Sequence, residues 1–263
     1  MQRDPHSHKG ENGKVAVIGG SATIHGAPLL SALAAEAGGV DLLYVCVPRI
    51  HQDVARLTSL NFQVHPFAGD ELLERDVPML LELLATMDTA VIGPGLARTP
   101  ETLAALKNLV AEAPCTLVLD ASALQPWTLD AVTDKNAVLT PHLGELKRMG
   151  IDEGKIGPAA KEHGVTIHLK GPEDRTASAD GRVHLIRGGN AGLTVGGTGD
   201  ALAGLIGGLR AQKMAPEDAC AAASTVIKRA GTMLFEEKGA AYTTREVITL
   251  IPKLLRDIDL EGN

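Results

Sequence analysis

Aromatic residues are scarce in this 263-residue chain, which contains one tryptophan, two tyrosines and three phenylalanines. Proteins that bind single-stranded nucleic acid stack the bases on aromatic rings, so this composition argues against that class of function. A net charge of −7 also argues against the broad basic surface that duplex DNA requires. We therefore expect small-molecule ligands and no nucleic-acid partner.

Cysteine is also sparse, since Cys46, Cys115 and Cys220 stand far apart without a CxxC pair. An odd number of distant cysteines argues against a disulfide framework and is typical of free thiols in a reducing compartment. No apolar run approaches the roughly 18 to 20 residues of a membrane span. The polar residues 1–13 lack the apolar core of a signal peptide. The sequence thus predicts a cytoplasmic protein with no membrane contact.

Aliphatic residues, in contrast, are plentiful, because 44% of the chain is hydrophobic and only 2% is aromatic. Leucine, valine, isoleucine and alanine must therefore fill the core. A β-branched run at 14–18 ends in a glycine turn, and an Ala/Leu-rich stretch at 28–37 and a second apolar run at 41–47 follow it. This order is typical of a βαβ unit and predicts a parallel sheet.

The same alternation continues to the end of the chain. Further strands are predicted at 89–92, 116–119, 137–139 and 165–169, and further helices at 77–86, 100–112, 129–133, 156–162, 200–212, 216–235 and 244–257. Asp180-Gly181 separates two short β-prone runs, 176–179 and 183–186, and predicts an antiparallel hairpin. We predict an α/β fold, a doubly wound and mostly parallel sheet with helices on both faces and an antiparallel edge hairpin. A flexible segment, 1–13, precedes a single catalytic domain, 14–263.

Several candidate motifs stand where a predicted strand ends. They are Gly19-Gly20-Ser21, Gly93-Pro94-Gly95, Asp120, Thr140-Pro141-His142 and Lys170-Gly171. In doubly wound sheets the ligand binds beyond the carboxyl ends of the strands. The common placement of these motifs therefore predicts one binding site along that edge of the sheet.

The glycine-rich stretch Gly196-Gly197-Thr198-Gly199 leads directly into the helix predicted at 200–212. Glycines let the backbone approach a ligand closely, and the free N–H groups of a helix start bind anions. Asp200, at the start of this helix, is placed to take a proton from an attacking hydroxyl group. An ordinary helix cap is the alternative role for this aspartate. We favour an anion hole for a transferring phosphoryl group, with Asp200 as the catalytic base.

GGTGDALAG, at 196–204, resembles the GxGD loop of the ribokinase superfamily. Four further motifs and Lys170-Gly171 run in the order typical of the NAD(P)H-hydrate dehydratases, carbohydrate-kinase-like enzymes that repair damaged nicotinamide cofactors. The four are Ser7-His8-Lys9-Gly10 with Gly19-Gly20-Ser21, Gly26-Ala27-Pro28, Gly93-Pro94-Gly95-Leu96 and Thr140-Pro141-His142-Leu143-Gly144-Glu145. The chain departs from the family pattern at His25, Ala97 and Ser122, where Tyr, Gly and a second Asp are usual.

This resemblance implies a ribokinase-like fold and a hydro-lyase acting on NADHX and NADPHX, whose nicotinamide ring carries a hydroxyl group at C6. A nucleotide phosphorylates that hydroxyl, and loss of phosphate restores NADH or NADPH; ADP then gives AMP and phosphate. The implied contacts with the hydrated nicotinamide are Ala27, Gly95, His142 and Asp200. The implied nucleotide contacts are Lys170, Gly171, Pro172, Glu173, Asp174, Gly197, Thr198 and Gly199.

Mg²⁺ is the expected metal, and Glu145 is the candidate to bind it through a water molecule. An equal alternative is that Glu145 only stabilises the N-terminus of a helix. We expect ADP rather than ATP, partly from the resemblance. The acidic turn at 172–174 also disfavours an additional terminal phosphate. A separate epimerase and a homo-oligomer are expected as well.

Two other functions remain open. One is a small-molecule hydroxyl kinase of the same superfamily, and the other is a nucleotide-binding regulator without turnover. An intact Asp200 argues against the regulator, because a sensor needs no base.

Overall fold

One nine-stranded sheet organises residues 5–261, the part of the chain that the computed structural model describes. The strands are β1 Lys14–Ile18, β2 Leu42–Cys46, β3 Phe62–Val64, β4 Thr89–Ile92, β5 Thr116–Leu119, β6 Ala137–Leu139, β7 Thr166–Leu169, β8 Asp174–Ala177 and β9 Val183–Ile186. The helices are α1 Gly26–Ala37, α2 Gln52–Thr58, α3 Val77–Leu84, α4 Pro100–Glu112, α5 Thr128–Ala131, α6 Leu143–Arg148, α7 Ile156–His163, α8 Thr198–Ala211, α9 Pro216–Lys238 and α10 Thr244–Glu261.

The strand order is β3-β2-β1-β4-β5-β6-β7-β8-β9. Strands β1 to β7 pair in parallel, whereas β8 and β9 join the edge as antiparallel strands. Strands β2 and β3 are added on one side of β1, and the strands from β4 onward are added on its other side. Such a switch point opens a crevice at the carboxyl ends of the two strands, β1 and β4. The predicted fold class is confirmed.

Two hydrophobic cores cover the two faces of the sheet, because successive side chains of a strand point to opposite faces. Val15 and Val17 of β1 pack in one core with α1, α8, α9 and α10. Ala16 and Ile18 pack in the other with α3, α4, α6 and α7. Strands that are buried on both faces need the continuous apolar runs that the sequence shows.

Three elements were not predicted: α2, β3 and α6. Of the seven residues of α2 only Ala55 is buried, so this helix has no apolar stripe. The hairpin predicted around Asp180-Gly181 is present, and residues 179–181 form its loop. Ser178 N donates to Arg182 O (3.0 Å), and Gly181 adopts a φ of 90°, as in a loop closed by a left-handed glycine.

The opening segment is attached to the domain through Asp41. The Gly10 and Asn12 amides donate to Asp41 Oδ2 at 2.9 and 3.0 Å. Residues 1–4 of the segment predicted to be flexible lie outside the described residues, as do 262–263 at the end of the predicted domain. Among the helices of residues 5–261, none is both long and apolar enough to cross a lipid bilayer.

Candidate active site

Backbone hydrogen bonds join the strand-end motifs into one continuous edge. Gly20 N donates to Pro94 O (2.9 Å), which connects the loops after β1 and β4. Lys170 N donates to Pro141 O (2.8 Å), which connects the loops after β7 and β6. The structure thus brings together the motifs that the sequence placed at strand ends.

Ala27 and Gly95, both expected to contact the nicotinamide, lie side by side at the switch point. A Cβ atom built on Gly95 would stand 3.2 Å from the Ala27 Cβ and 2.8 Å from Ile24 Cγ2. With a φ of 71°, Gly95 also adopts a conformation that favours glycine. The loop after β4 therefore packs closely against the start of α1, and a side chain at position 95 would collide with Ile24.

Lys170 is the charged centre of the edge. Its Nζ lies 2.5 Å from Asp120 Oδ1 and 3.8 Å from Glu145 Oε2. Both carboxylates are buried, and Thr140 Oγ1 donates to the same Asp120 oxygen at 2.9 Å. Burial alone would lower the pKa of Lys170, but the attraction of Asp120 and Glu145 outweighs it and raises that pKa. The lysine therefore remains an ammonium at neutral pH.

Asp200 is half-buried in the first turn of α8. Burial and the negative charges of Asp120 and Glu145 raise its pKa to about 7, although Lys170 acts in the opposite direction. A carboxylate with a pKa near neutrality is well matched to accept a proton from a hydroxyl group. Asp200 therefore has the electrostatic setting of a general base, which a solvent-exposed helix cap would lack.

The glycine loop places free backbone amides next to this carboxylate. Ala201 N donates to Gly197 O (2.9 Å), so the amides of Gly199 and Asp200 precede the first hydrogen bond of α8. Gly199 also approaches the lysine, since a Cβ atom built on it would lie 3.3 Å from Lys170 Nζ. The glycine loop, which the sequence predicts to be an anion hole, thus lies beside the ammonium of Lys170 and the carboxylate of Asp200.

His142 caps α6 through its ring. Nδ1 accepts hydrogen bonds from the Gly144 amide (2.9 Å) and the Glu145 amide (3.3 Å), which leaves the proton of a neutral ring on Nε2. In return, Glu145 Oε2 accepts from the His142 amide (2.8 Å). The side chain is 57% exposed, and its Nε2 lies 3.4 Å from Glu145 Oε1. His142 pairs with Lys170 in an isolated parallel bridge, which places it at the same edge.

In residues 170–174, the segment expected to bind the nucleotide, both acidic side chains already contact donors of the protein. Asp174 is buried, and its Oδ1 accepts from the Gly171 amide at 2.8 Å. Glu173 lies 2.5 Å from Arg187 Nε. The acidic turn therefore does not present two unpaired carboxylates to a nucleotide, so its charge gives no support to a preference for ADP over ATP.

Comparison with known proteins identifies the family of this chain. The family model described as NAD(P)H-hydrate dehydratase matches residues 15–253. The chain belongs to this dehydratase family. It is 38% identical to an ADP-dependent (S)-NAD(P)H-hydrate dehydratase of Cenarchaeum symbiosum, over 96% of this chain and 92% of that protein.

Two further relatives add detail on architecture. A bifunctional NAD(P)H-hydrate repair enzyme of Methanocaldococcus jannaschii is 38% identical over 97% of this chain but only 50% of its own length. The crystal structure of an ADP/ATP-dependent NAD(P)H-hydrate dehydratase from Bacillus subtilis, co-crystallised with ATP and Mg²⁺, superposes with a TM-score of 0.82. It is 26% identical and aligns over 97% of this chain and 93% of that one. The predicted family is confirmed.

Several residues of this dehydratase site were not assigned a role from the sequence. Asp120 was placed at a strand end, but its pairing with Lys170, 50 residues later, was not predicted. Thr244, at the start of α10, donates from Oγ1 to Gly196 O (2.8 Å) and holds the glycine loop from a distant helix. The position of Asp120 directly after a buried strand could have indicated a site residue. No feature of the sequence indicates that Thr244 contacts the glycine loop.

The carboxylates suit Mg²⁺ that arrives with a nucleotide. Within the described chain, no group of three or more His, Cys, Asp or Glu residues is arranged to hold a metal ion. Asp120, Glu145 and Asp200 surround the ammonium of Lys170, and Glu145 also interacts with the guanidinium of Arg148. Mg²⁺ usually keeps several waters and is bound by one or two carboxylates plus phosphates. These carboxylates fit that mode, in which Glu145 would reach the ion through water.

Proposed function

We propose that this protein dehydrates NADHX and NADPHX to NADH and NADPH, with ADP giving AMP and phosphate. The observation that carries the proposal is the position of Asp200, whose pKa is about 7, beside the amides of the α8 start and the ammonium of Lys170. Membership of the dehydratase family supports the substrate. The name of the Cenarchaeum relative supports ADP as the nucleotide.

Phosphorylation of the C6 hydroxyl is the first step. Asp200 takes the hydroxyl proton while the oxygen attacks the β-phosphorus of ADP, so that an O–P bond forms and the bond to AMP breaks. The amides of Gly199 and Asp200, together with Lys170, stabilise the charge of the transferring group. Mg²⁺ bound with the nucleotide supplies further charge compensation.

Elimination is the second step and requires little from the protein. The C6–O bond breaks as the ring nitrogen donates its electron pair, and phosphate leaves with the electrons of that bond. Transfer of a proton from the neighbouring ring carbon to water or to the departing phosphate restores the dihydronicotinamide ring. Ala27 and Gly95 would hold the ring at the switch point, and the His142 Nε2–H would donate to the substrate. Residues 170–174 and 197–199 would hold the nucleotide.

The deciding experiment is incubation of the purified protein with hydrated NADH and either ADP or ATP. With ADP we expect recovery of the NADH absorbance together with AMP and phosphate, and with Asp200→Asn we expect no recovery. A phosphorylated product that accumulates would instead identify a small-molecule kinase. Nucleotide binding without turnover of any substrate would identify a regulator.

Other expectations about this dehydratase stay predictions. They concern a separate epimerase that supplies the reactive epimer, a homo-oligomer and a cytoplasmic location. Size-exclusion chromatography with light scattering tests the second of these directly.

A further inference from the structure

Lys228, on the middle turns of α9, points into the protein behind the proposed nucleotide stretch. Its side chain is only 8% exposed. Nζ donates to the carbonyl oxygens of Pro172 (3.1 Å), Gly171 (3.3 Å) and Gly188 (3.4 Å). Asp174 Oδ1 is 3.6 Å away. An ammonium has three hydrogens and no acceptor, so three carbonyls and a carboxylate satisfy it fully.

Asp174 joins the same turn to α9 from the other side. Its Oδ1 accepts from the Gly171 amide (2.8 Å), and its Oδ2 accepts from Ser224 Oγ (2.6 Å). Ser224 lies four residues before Lys228, so both side chains project from one face of the helix. Burial would raise the pKa of Asp174, but the neighbouring His168 and the hydrogen bonds from Ser224 and the Gly171 amide lower it below its usual range. The carboxylate stays charged opposite the ammonium.

The carbonyls that Lys228 gathers come from two separate parts of the chain. Gly171 and Pro172 directly follow Lys170, whose ammonium faces Asp120 and the glycine loop. Gly188 follows β9 and leads toward Asn190, which opens the segment that continues into the anion hole. Lys228 therefore holds, from behind, the turn at 171–172, which the proposed function places at the nucleotide, and the backbone at Gly188 that leads toward the glycine loop.

We propose that Lys228 is a positioning residue for the nucleotide, and that its buried ammonium keeps the Gly171-Pro172 turn in the shape that binds ADP. The proposal rests on the nucleotide role of residues 170–174 given above. Lys228 acts on the backbone of the turn, whereas Asp200 lies in another loop and performs the proton transfer. Loss of the ammonium would thus weaken nucleotide binding and leave the chemical step nearly intact.

The test is Lys228→Met, which keeps the length of the side chain and removes the charge and the donors. Lys253→Met, at an exposed position of α10, is the matched control. We expect KM for ADP and the Kd for ADP·Mg²⁺ from calorimetry to rise roughly tenfold. We expect kcat and KM for hydrated NADH to stay within about twofold of wild type. The control variant should match wild type in every measurement.

A second variant, Ser224→Ala, guards against a folding failure, since it removes one hydroxyl and leaves the lysine in place. It should raise the Kd for ADP by a smaller factor, roughly two to three. The proposal is overturned if Lys228→Met binds ADP as tightly as wild type, or if kcat falls as much as affinity does. It is also overturned if Lys228→Met does not fold and Ser224→Ala binds ADP normally.

The calorimetric measurement separates this proposal from the proposed function. A wild-type protein that binds ADP but does not convert hydrated NADH would refute the dehydratase activity and still allow the comparison of Lys228→Met with wild type. A wild-type protein that binds neither ADP nor ATP would refute both.

Discussion

Replacing Asp200 with asparagine should remove catalysis and stabilise the protein at alkaline pH. The pKa of Asp200 is about 7 in the folded protein, against about 3.9 for an unperturbed aspartate. A difference of about three pKa units, at about 1.4 kcal/mol each, sets an upper limit of about 4 kcal/mol for the cost of ionising this carboxylate in the fold. Because Asp200 is partly exposed and solvent screens its charge, we expect a gain of about 1 to 2 kcal/mol.

The sign of the pH dependence follows from which state holds the proton. The unfolded chain releases it near pH 4, whereas the folded chain keeps it until about pH 7. Across this window the wild type loses stability as the pH rises, because the native state binds more protons than the unfolded state. Asp200→Asn carries no such proton, so its advantage over wild type should grow from pH 5 to pH 8.

Thermal or urea unfolding at pH 5 and pH 8 measures this effect. A gain of 1 to 2 kcal/mol corresponds to roughly 3 to 6 °C in Tm for a chain of this size. The turnover of the same variant should fall by about 10²- to 10⁴-fold. In the wild type, kcat/KM should rise with pH through about 7 as Asp200 becomes able to accept a proton.

Asp70→Asn, at an exposed aspartate in the loop before α3, is the control and should change neither stability nor rate. The reasoning is refuted if Asp200→Asn keeps more than about half of the wild-type kcat. It is refuted equally if the stability difference between the variant and wild type is the same at pH 5 and pH 8.

Three further outcomes are expected. Gly199→Ala should weaken ADP binding with little loss of Tm, because its Cβ would meet only the side chain of Lys170, 3.3 Å away. Gly197→Ala should also lower Tm, because its φ is 95° and its Cβ would come within 2.3 Å of Leu30 Cδ1. Calorimetry and thermal melts on both variants would contradict this if the two behaved alike. His142→Asn, which keeps a capping oxygen and loses the Nε2–H, should raise KM for hydrated NADH at nearly unchanged Tm, and an unchanged KM would exclude the contact. ADP should give a kcat/KM at least equal to that of ATP when each is freed of the other, so a tenfold preference for ATP, about 1.4 kcal/mol, would reverse the assignment.

The regular elements were predictable wherever local chemistry alone determines them. Helix α4 spans Pro100–Glu112 as predicted, because Thr99 accepts a hydrogen bond from the Thr102 amide at one end and proline fixes the first turn. Strands β4, β5 and β6 also begin and end as predicted, since each is a short buried apolar run. Helix α6 was missed, because six residues held by the His142 cap carry no apolar periodicity.

The site was predictable as a location but not as a set of contacts. Each motif follows a strand, and parallel strands end at one edge, so their proximity follows from fold class alone. The pairing of Asp120 with Lys170 depends on β5 and β7 flanking β6, which only the strand order reveals. Lys228 reaches the turn at 171–172 from 56 to 57 residues away, and nothing in the sequence around it indicates a partner.

The hydrogen bonds of Ser122 explain one departure from the family motifs, the serine in place of a second aspartate. Ser122 is buried, donates from Oγ to Leu96 O (2.7 Å) and accepts from Arg98 Nε (3.3 Å). An ionised carboxylate at this position could accept from the arginine but could not donate to a carbonyl. The serine thus connects the loop after β5 to the loop after β4.

The other two departures lie next to the same region. His25 directly precedes the start of α1 that carries Ala27, and its ring stands 5.3 Å from that of His51. Ala97 follows Leu96, two residues after Gly95. All three changes therefore adjoin Ala27 and Gly95, the proposed nicotinamide contacts. Asp200, Lys170 and the glycine loop retain the residues of the family motif, so the sequence differences lie around the proposed position of the substrate ring and outside the groups proposed for phosphoryl transfer.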